Sequence, residues 1–218
     1  TSRNRGSGFL ALPRELDRFL EEIFKSCPMT VSIKTRIGVE DEEEWPQLLE
    51  IFEKYPLEEL IIHPRLKTDQ YKKNTIHWEA FKKAEESSRH SLCYNGDIVS
   101  KDDYEKVVQR FPGTEKIMIG RGILKKPWLA EEISNGDKKD SSRYKEELFE
   151  FHEELLKGYM DYMSGDRNTL YKMKELWAYL GTSFTNPERY MKKIRKSQHI
   201  SEYRIWVGNL FREQDLIW

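Results

Sequence analysis

Val31-Ser32-Ile33-Lys34-Thr35-Arg36-Ile37-Gly38 is the stretch whose reading decides the fold. Its alternation has the period of two that marks a β-strand, with Val31 and Ile33 on one side and Thr30, Ser32, Lys34 and Arg36 on the other. A central strand of a doubly wound sheet is covered by helices on both faces and should be apolar on both. One polar face ending in a lysine and an arginine suits instead a (β/α) barrel, whose inner mouth at the C-terminal strand ends does chemistry.

Outward from that strand the pattern recurs. Leu16, Phe19, Leu20, Ile23 and Phe24 keep the spacing of a helix packed on one face, opened by Pro13 and reaching about Lys25. After the strand, taken as Met29–Ile37, come a helix around Trp45, Leu48, Leu49, Phe52 and Tyr55, and a strand over Glu59–His63. A helix carrying Trp78, Phe81 and Ala84, a strand at Ser91–Asn95, a helix with Tyr104, Val107, Val108 and Phe111, and a strand at Lys116–Ile119 follow. Pro127-Trp128-Leu129 opens another helix. Strand–helix units in this order predict a parallel α/β architecture. Four units make half of an eight-stranded barrel, with two open edges and an uncovered interior. The expectation is therefore a chain that begins well inside a longer barrel protein.

The polar run from Ser134 to Ser142 reads as a linker. Beyond it only helical spacing is found: Leu148, Phe151, Leu155, Tyr159 and Met163; Leu170, Met173, Trp177 and Leu180; Tyr190 and Ile194; Ile205, Trp206 and Leu210. The expected organisation is half a (β/α)8 TIM barrel over residues 1–135 and a small all-helical domain over 140–218.

Composition bounds the setting. The 218 residues are 34% charged and 38% hydrophobic, with a net charge of −1, which argues against bulk nucleic-acid binding through overall charge but does not exclude a local basic patch. No apolar run approaches a membrane span. Cys27 and Cys93 have neither a disulfide framework nor metal spacing, which fits a reducing cytoplasm. His77, His90, His152 and His199 show no ligand spacing and read as surface residues. No metal and no membrane partner are expected.

The unusual polar clusters all stand at C-terminal strand ends: Lys34-Thr35-Arg36, His63-Pro64-Arg65, Asn95-Gly96-Asp97 and Gly120-Arg121-Gly122. Gly96, Gly120 and Gly122 would let backbone approach a phosphate, and Arg121 adds a fork of donors. Lys34 offers a cation to an electron-rich ring edge, and His63 a donor or proton relay. Singly, each has a plain structural reading as a turn, a solvated strand end or a satisfied histidine. Four clusters at four successive strand ends point together to a site.

These residues resemble the dihydrouridine synthase family, which reduces the C5–C6 double bond of uridine in tRNA with bound FMN. The resemblance is carried by Val31–Gly38, by Ile61-Ile62-His63-Pro64-Arg65 with Tyr71 and Trp78, by Asn95-Gly96-Asp97-Ile98, by Met118-Ile119-Gly120-Arg121-Gly122 and by Pro127-Trp128-Leu129, and more loosely by Lys172–Tyr179. It implies that Lys34 and His63 lie beside the flavin, that Asn95, Gly96 and Asp97 hold its ribityl-phosphate arm, and that Gly120 and Arg121 grip the phosphate. It implies NADPH as reductant and a cysteine as the acid that protonates uracil C5. Gly6-Ser7-Gly8-Phe9-Leu10 resembles the stretch downstream of that cysteine, so the acid is expected just before Thr1 and no catalytic residue within the chain. Pro64 stands where the family has glycine and removes a backbone donor.

The resemblance also implies tRNA contacts, from Arg36 and Arg65 at the strand ends and from the helical tail. There Arg189, Lys192, Lys193, Arg195, Lys196 and Arg204 face only Glu188 and Glu202. Arg189, Lys192, Lys193 and Lys196 have the spacing of one helical stripe, whose plain reading is a solvated charged face. The reading is thus a monomeric, cytoplasmic tRNA-dihydrouridine synthase in fragment form. The alternatives are an inactive fragment or RNA-binding remnant, and another FMN-dependent TIM-barrel oxidoreductase acting on a small molecule.

Overall fold

A computed structural model describes residues 5–70, 75–136 and 141–217. Tyr71 and the centre of the expected linker, residues 137–140, lie outside the described residues. The chain divides into two compact units. One runs to Asp97 and resumes over Asp102–Ile119; the other takes Ile98–Lys101 and everything from Gly120 onward. Gly120–Asn135, expected to close the first domain, therefore clusters with the second unit.

The first unit begins with a 3-10 turn, Gly6–Ala11, and helix α1, Pro13–Ser26, with its proline at the first helical turn where no amide partner is lost. Strand β1, Ser32–Gly38, leads to α2, Trp45–Glu53, and to β2, Glu59–Leu66. Helix α3, Trp78–Ser87, is followed by β3, Ser91–Asn95; helix α4, Lys101–Arg110, by β4, Lys116–Met118. The four strands pair in parallel in the order β1-β2-β3-β4. Each crossover between them contains a helix, as parallel pairing demands. This is the connectivity of successive units of a (β/α) barrel.

Alternation explains which face meets the helices. Leu60 and Ile62 of β2 are fully buried, as is Tyr94 of β3. Leu48 and Phe52 of α2, Phe81 and Ala84 of α3, and Phe111 are buried in the same unit. The Phe81 ring stands edge-on to Tyr94 at 5.1 Å and tilted to Phe111 at 4.8 Å. The Trp45 indole N–H donates to the Ala80 carbonyl at 2.8 Å and ties α2 to α3. The opposite face carries Ser32, Lys34 and Arg36 of β1 and Glu59, Ile61 and His63 of β2, in register as Ser32–Glu59, Lys34–Ile61 and Arg36–His63.

The second unit is helical: α5, Arg121–Lys125; α6, Leu129–Asn135; α7, Ser141–Tyr162; α8, Gly165–Leu180; α9, Glu188–Lys196; and α10, Ile200–Glu213. A 3-10 turn, Gly181–Ser183, joins α8 to the approach to α9. Leu156, Met173, Trp177, Ile194, Val207 and Leu210 form its buried centre. The apolar stripe of α7 is offset from the expected one. Tyr144, Leu148, His152 and Leu156 are buried, whereas Phe151 is 37% exposed. His152 takes a core position on that stripe, and Ile205, expected inward, is 61% exposed on α10.

Candidate functional site

At the C-terminal end of β1 the backbone turns sharply. The Glu44 carboxylate accepts from the amides of Val39, Glu40 and Asp41 at 2.8–2.9 Å, while Asp41 accepts from the Glu43 amide at 3.0 Å. This reciprocal capping fixes the strand end and the start of the next helix together. A Cβ at Gly38 would sit 2.9 Å from the Asp41 carbonyl, so only glycine allows the turn to close.

On the strand end so fixed, Lys34, Thr35 and Arg36 line a pocket of about 240 Å³ with Gly6, Ser7 and Leu10. The Lys34 side chain reaches solvent, yet partial burial and then the positive charge of Arg36 hold its pKa below the ordinary lysine value. The Arg36 guanidinium donates to the Leu66 carbonyl at 2.6 Å, joining the ends of β1 and β2. Its register partner His63 is 8% exposed.

Arg65 lies elsewhere than its expected role requires. It is fully buried, and its guanidinium is held by the Asp97 carboxylate and the Thr75 hydroxyl. A residue so enclosed braces the loops after β2 and β3 and presents nothing to a tRNA. Pro64, with no N–H to give, still accepts from the His77 amide at 2.8 Å. His77 is itself clasped between Glu42 and Asp69, and His90 between the Phe52 carbonyl and Glu53, so neither is the free surface residue expected. With His152 buried, the surface reading holds for His199 alone among the four.

At the end of β3, Asn95 is 9% exposed and its amide donates to the Met118 carbonyl of β4 at 2.8 Å. Gly96 is a steric requirement, because a Cβ there would overlap the Tyr94 side chain. Cys93, one pair of residues deeper on the strand, is buried, and that burial pushes its thiol up to about 11, with Glu59 acting in the same direction. It is a packed neutral thiol. Cys27 follows the last turn of α1, at the opposite end of β1 from Lys34 and Arg36.

Gly120 and Arg121 belong to the second unit, where Gly120 precedes the first turn of α5. The sequence marked Gly120-Arg121-Gly122 as a phosphate candidate at a strand end but not as the start of a helix; five helical residues are too few to leave a periodic signal.

The α9 cations divide between two flanks. Arg189, Lys192, Lys193, Arg195 and Lys196 are all exposed, and Tyr190, Met191 and Ile194 anchor the helix. Lys193 sits over the Trp206 ring at 5.2 Å. Lys192, Arg195 and Lys196 line a groove of about 400 Å³ whose other walls include Trp177, Gly181 and Met191. The expected stripe is therefore split, and Arg195 joins the groove set in place of Arg189 and Lys193.

The comparisons bear on the family of the chain. A profile of the dihydrouridine synthase family matches residues 1–210. The chain belongs to that family. It is 25% identical over 217 residues to a tRNA-dihydrouridine(16) synthase of Vibrio parahaemolyticus, covering 92% of this chain and 65% of that protein. It is 30% identical over 156 residues to a probable tRNA-dihydrouridine synthase 2 of Bacillus subtilis, covering 69% and 46%. To tRNA-dihydrouridine synthase B of Vibrio parahaemolyticus it is 29% identical over 129 residues, covering 59% and 39%. The chain thus spans less than two thirds of the length of each of these relatives. Among the described residues no helix is long and apolar enough to cross a membrane, and no group of His, Cys, Asp or Glu is placed to hold a metal ion.

Proposed function

We propose that this chain carries the cofactor-holding strand ends and the tRNA-facing helices of a tRNA-dihydrouridine synthase, acting as a monomer in the cytoplasm. The observation that carries the reading is the register of β1 on β2. It sets Arg36 beside His63 and Lys34 one layer below, with a small polar pocket at the same strand end. A ring system with carbonyl oxygens and a phosphate arm calls for such donors.

The residues fit FMN. Lys34 offers its ammonium to the ring edge, and His63 a ring nitrogen held on a buried strand. Asn95 is oriented by its bond to Met118, and Gly96 keeps the backbone close. The family resemblance would give Gly120 and Arg121 the phosphate. Bound FMN would supply the hydride for uracil C6, with NADPH as the source of electrons. The side chains of this chain bind and orient; no cysteine of residues 1–218 is assigned the acid's role. On this reading the strand unit, which ends at Ile119, would hold most of the flavin, and the helices over residues 141–213 would face the tRNA.

The test is the flavin absorption of the purified chain, followed by Lys34→Ala and Arg121→Ala. Each substitution should lower bound FMN at least tenfold; full retention by both would end the assignment of these sites. Reduced uridine in tRNA from cells carrying the wild-type gene, absent in a deletion, tests the activity.

A further inference from the structure

The groove on the helical unit is built differently from a surface that only follows a phosphate backbone. Lys192, Arg195 and Lys196 stand at i, i+3 and i+4 on α9, so their charges share one face. A convex helix carrying three cations would satisfy phosphates without any concavity. Here the cations stand beside a hollow of about 400 Å³, bounded by Ala178 and Trp177 of α8, Gly181 and Thr182 of the 3-10 turn, and Pro187 and Met191. That size is within the range of small-ligand pockets, which are mostly apolar with a few placed polar groups.

The walls are closely fitted. A Cβ added at Gly181 would lie 2.5 Å from the Met191 sulfur, so glycine lets the turn press directly on α9. Met191 is 6% exposed and Trp177 is 1% exposed, giving fixed apolar walls. Glu188 adds one carboxylate to the lining, an acceptor for an N–H group. The combination is an apolar hollow, cations for phosphate and one acceptor for an amino group. It is the combination that a splayed, unpaired nucleotide needs: base sequestered, phosphate neutralised, edge hydrogen-bonded.

We infer that the groove between the α8–3-10 segment and α9 takes one unpaired nucleotide of the RNA, its base against Met191 and Pro187 and its phosphates on Lys192, Arg195 and Lys196. The inference rests on the tRNA-binding reading and gives that surface a preference for single-stranded RNA over duplex.

Ala178 and Thr182 are exposed residues on the lining, so Ala178→Trp and Thr182→Trp fill the hollow while leaving every cation in place. Binding of unmodified tRNA by the full chain should weaken at least fivefold in both, with the salt dependence unchanged. Reversing Lys192, Arg195 and Lys196 to Glu should instead abolish binding, and a milder charge loss should flatten the salt dependence. Base-specific chemical probing of the wild-type complex should show at least one unpaired base newly protected. The readouts separate the two layers of the argument. A charge-reversed chain that still binds tRNA ends the tRNA reading. Full affinity in both tryptophan variants, with no protected unpaired base, leaves tRNA on the surface but overturns the nucleotide groove. If either variant loses its folded circular dichroism signal, the other variant and the probing decide.

Discussion

Arg65 and Asp97 form an ion pair that joins the C-terminal end of β2 to the loop after β3, with the guanidinium wholly buried and the carboxylate 38% exposed. The pair is asymmetric in what it costs to break. A buried arginine without its partner keeps its charge in a poorly solvated place, whereas an exposed aspartate without its partner regains water. Asp97→Ala should therefore destabilise the chain by about 2–3 kcal/mol, toward the low end for buried pairs because the carboxylate is partly screened. Arg65→Met, which keeps volume and removes the charge, should cost less. Urea denaturation of the two variants checks the order, and a larger loss in Arg65→Met would contradict the brace.

Much of the first unit was legible because its signals are local and mutually consistent. Ser91–Asn95 is a strand at the expected residues, and the polar face of β1 falls where alternation put it. Burial of a particular polar residue was less legible, since it depends on partners distant in sequence. Arg65 finds Asp97 after 32 residues, and no spacing rule advertises that bond. His152 did leave a signal. It stands four residues from both Leu148 and Leu156, on a stripe that is otherwise apolar. The competing stripe through Phe151 and Leu155 was equally regular, and periodicity cannot choose between adjacent stripes when both are apolar. The split among the α9 cations was hidden for a related reason: spacing groups residues by helix face, but Gly181 and Trp206 decide what each face meets.

The two cysteines should react very differently. Cys93 is 4% exposed, and burial raises its pKa to about 11, so little of the nucleophilic thiolate forms at about pH 8. Cys27, beyond α1, is partly exposed to reagent. Alkylation of the native chain at about pH 8 should label Cys27 at least tenfold faster. Cys93 should label only as the chain unfolds. Mass spectrometry of the labelled peptides reads the ratio, and equal rates would show that Cys93 is not packed as described.

The helical unit depends on one oxygen. The Tyr203 hydroxyl accepts from the Trp177 indole N–H at 2.5 Å and lies 2.6 Å from His152 Nε2. With the indole donating, the phenol proton goes to His152 Nε2, and the remaining imidazole proton on Nδ1 points to Glu153 at 3.2 Å. Every donor and acceptor of that chain is thereby used, in a place where His152 and Tyr203 are fully buried. Tyr203→Phe preserves the ring and its packing but orphans two buried groups, each worth about 1–3 kcal/mol when left without a partner. The expected loss is about 3 kcal/mol, seen as a lower urea midpoint at unchanged slope. His152→Leu in the same background should cost less than it does in wild type, because the two changes remove one shared bond. The consequence reaches the proposed RNA groove. Trp177 is a wall of the groove beside α9, so its anchoring sets that wall. Tyr203→Phe should weaken tRNA binding two- to threefold under conditions where it remains folded. A stability within about 0.5 kcal/mol of wild type would mean the oxygen is not the hub its distances describe.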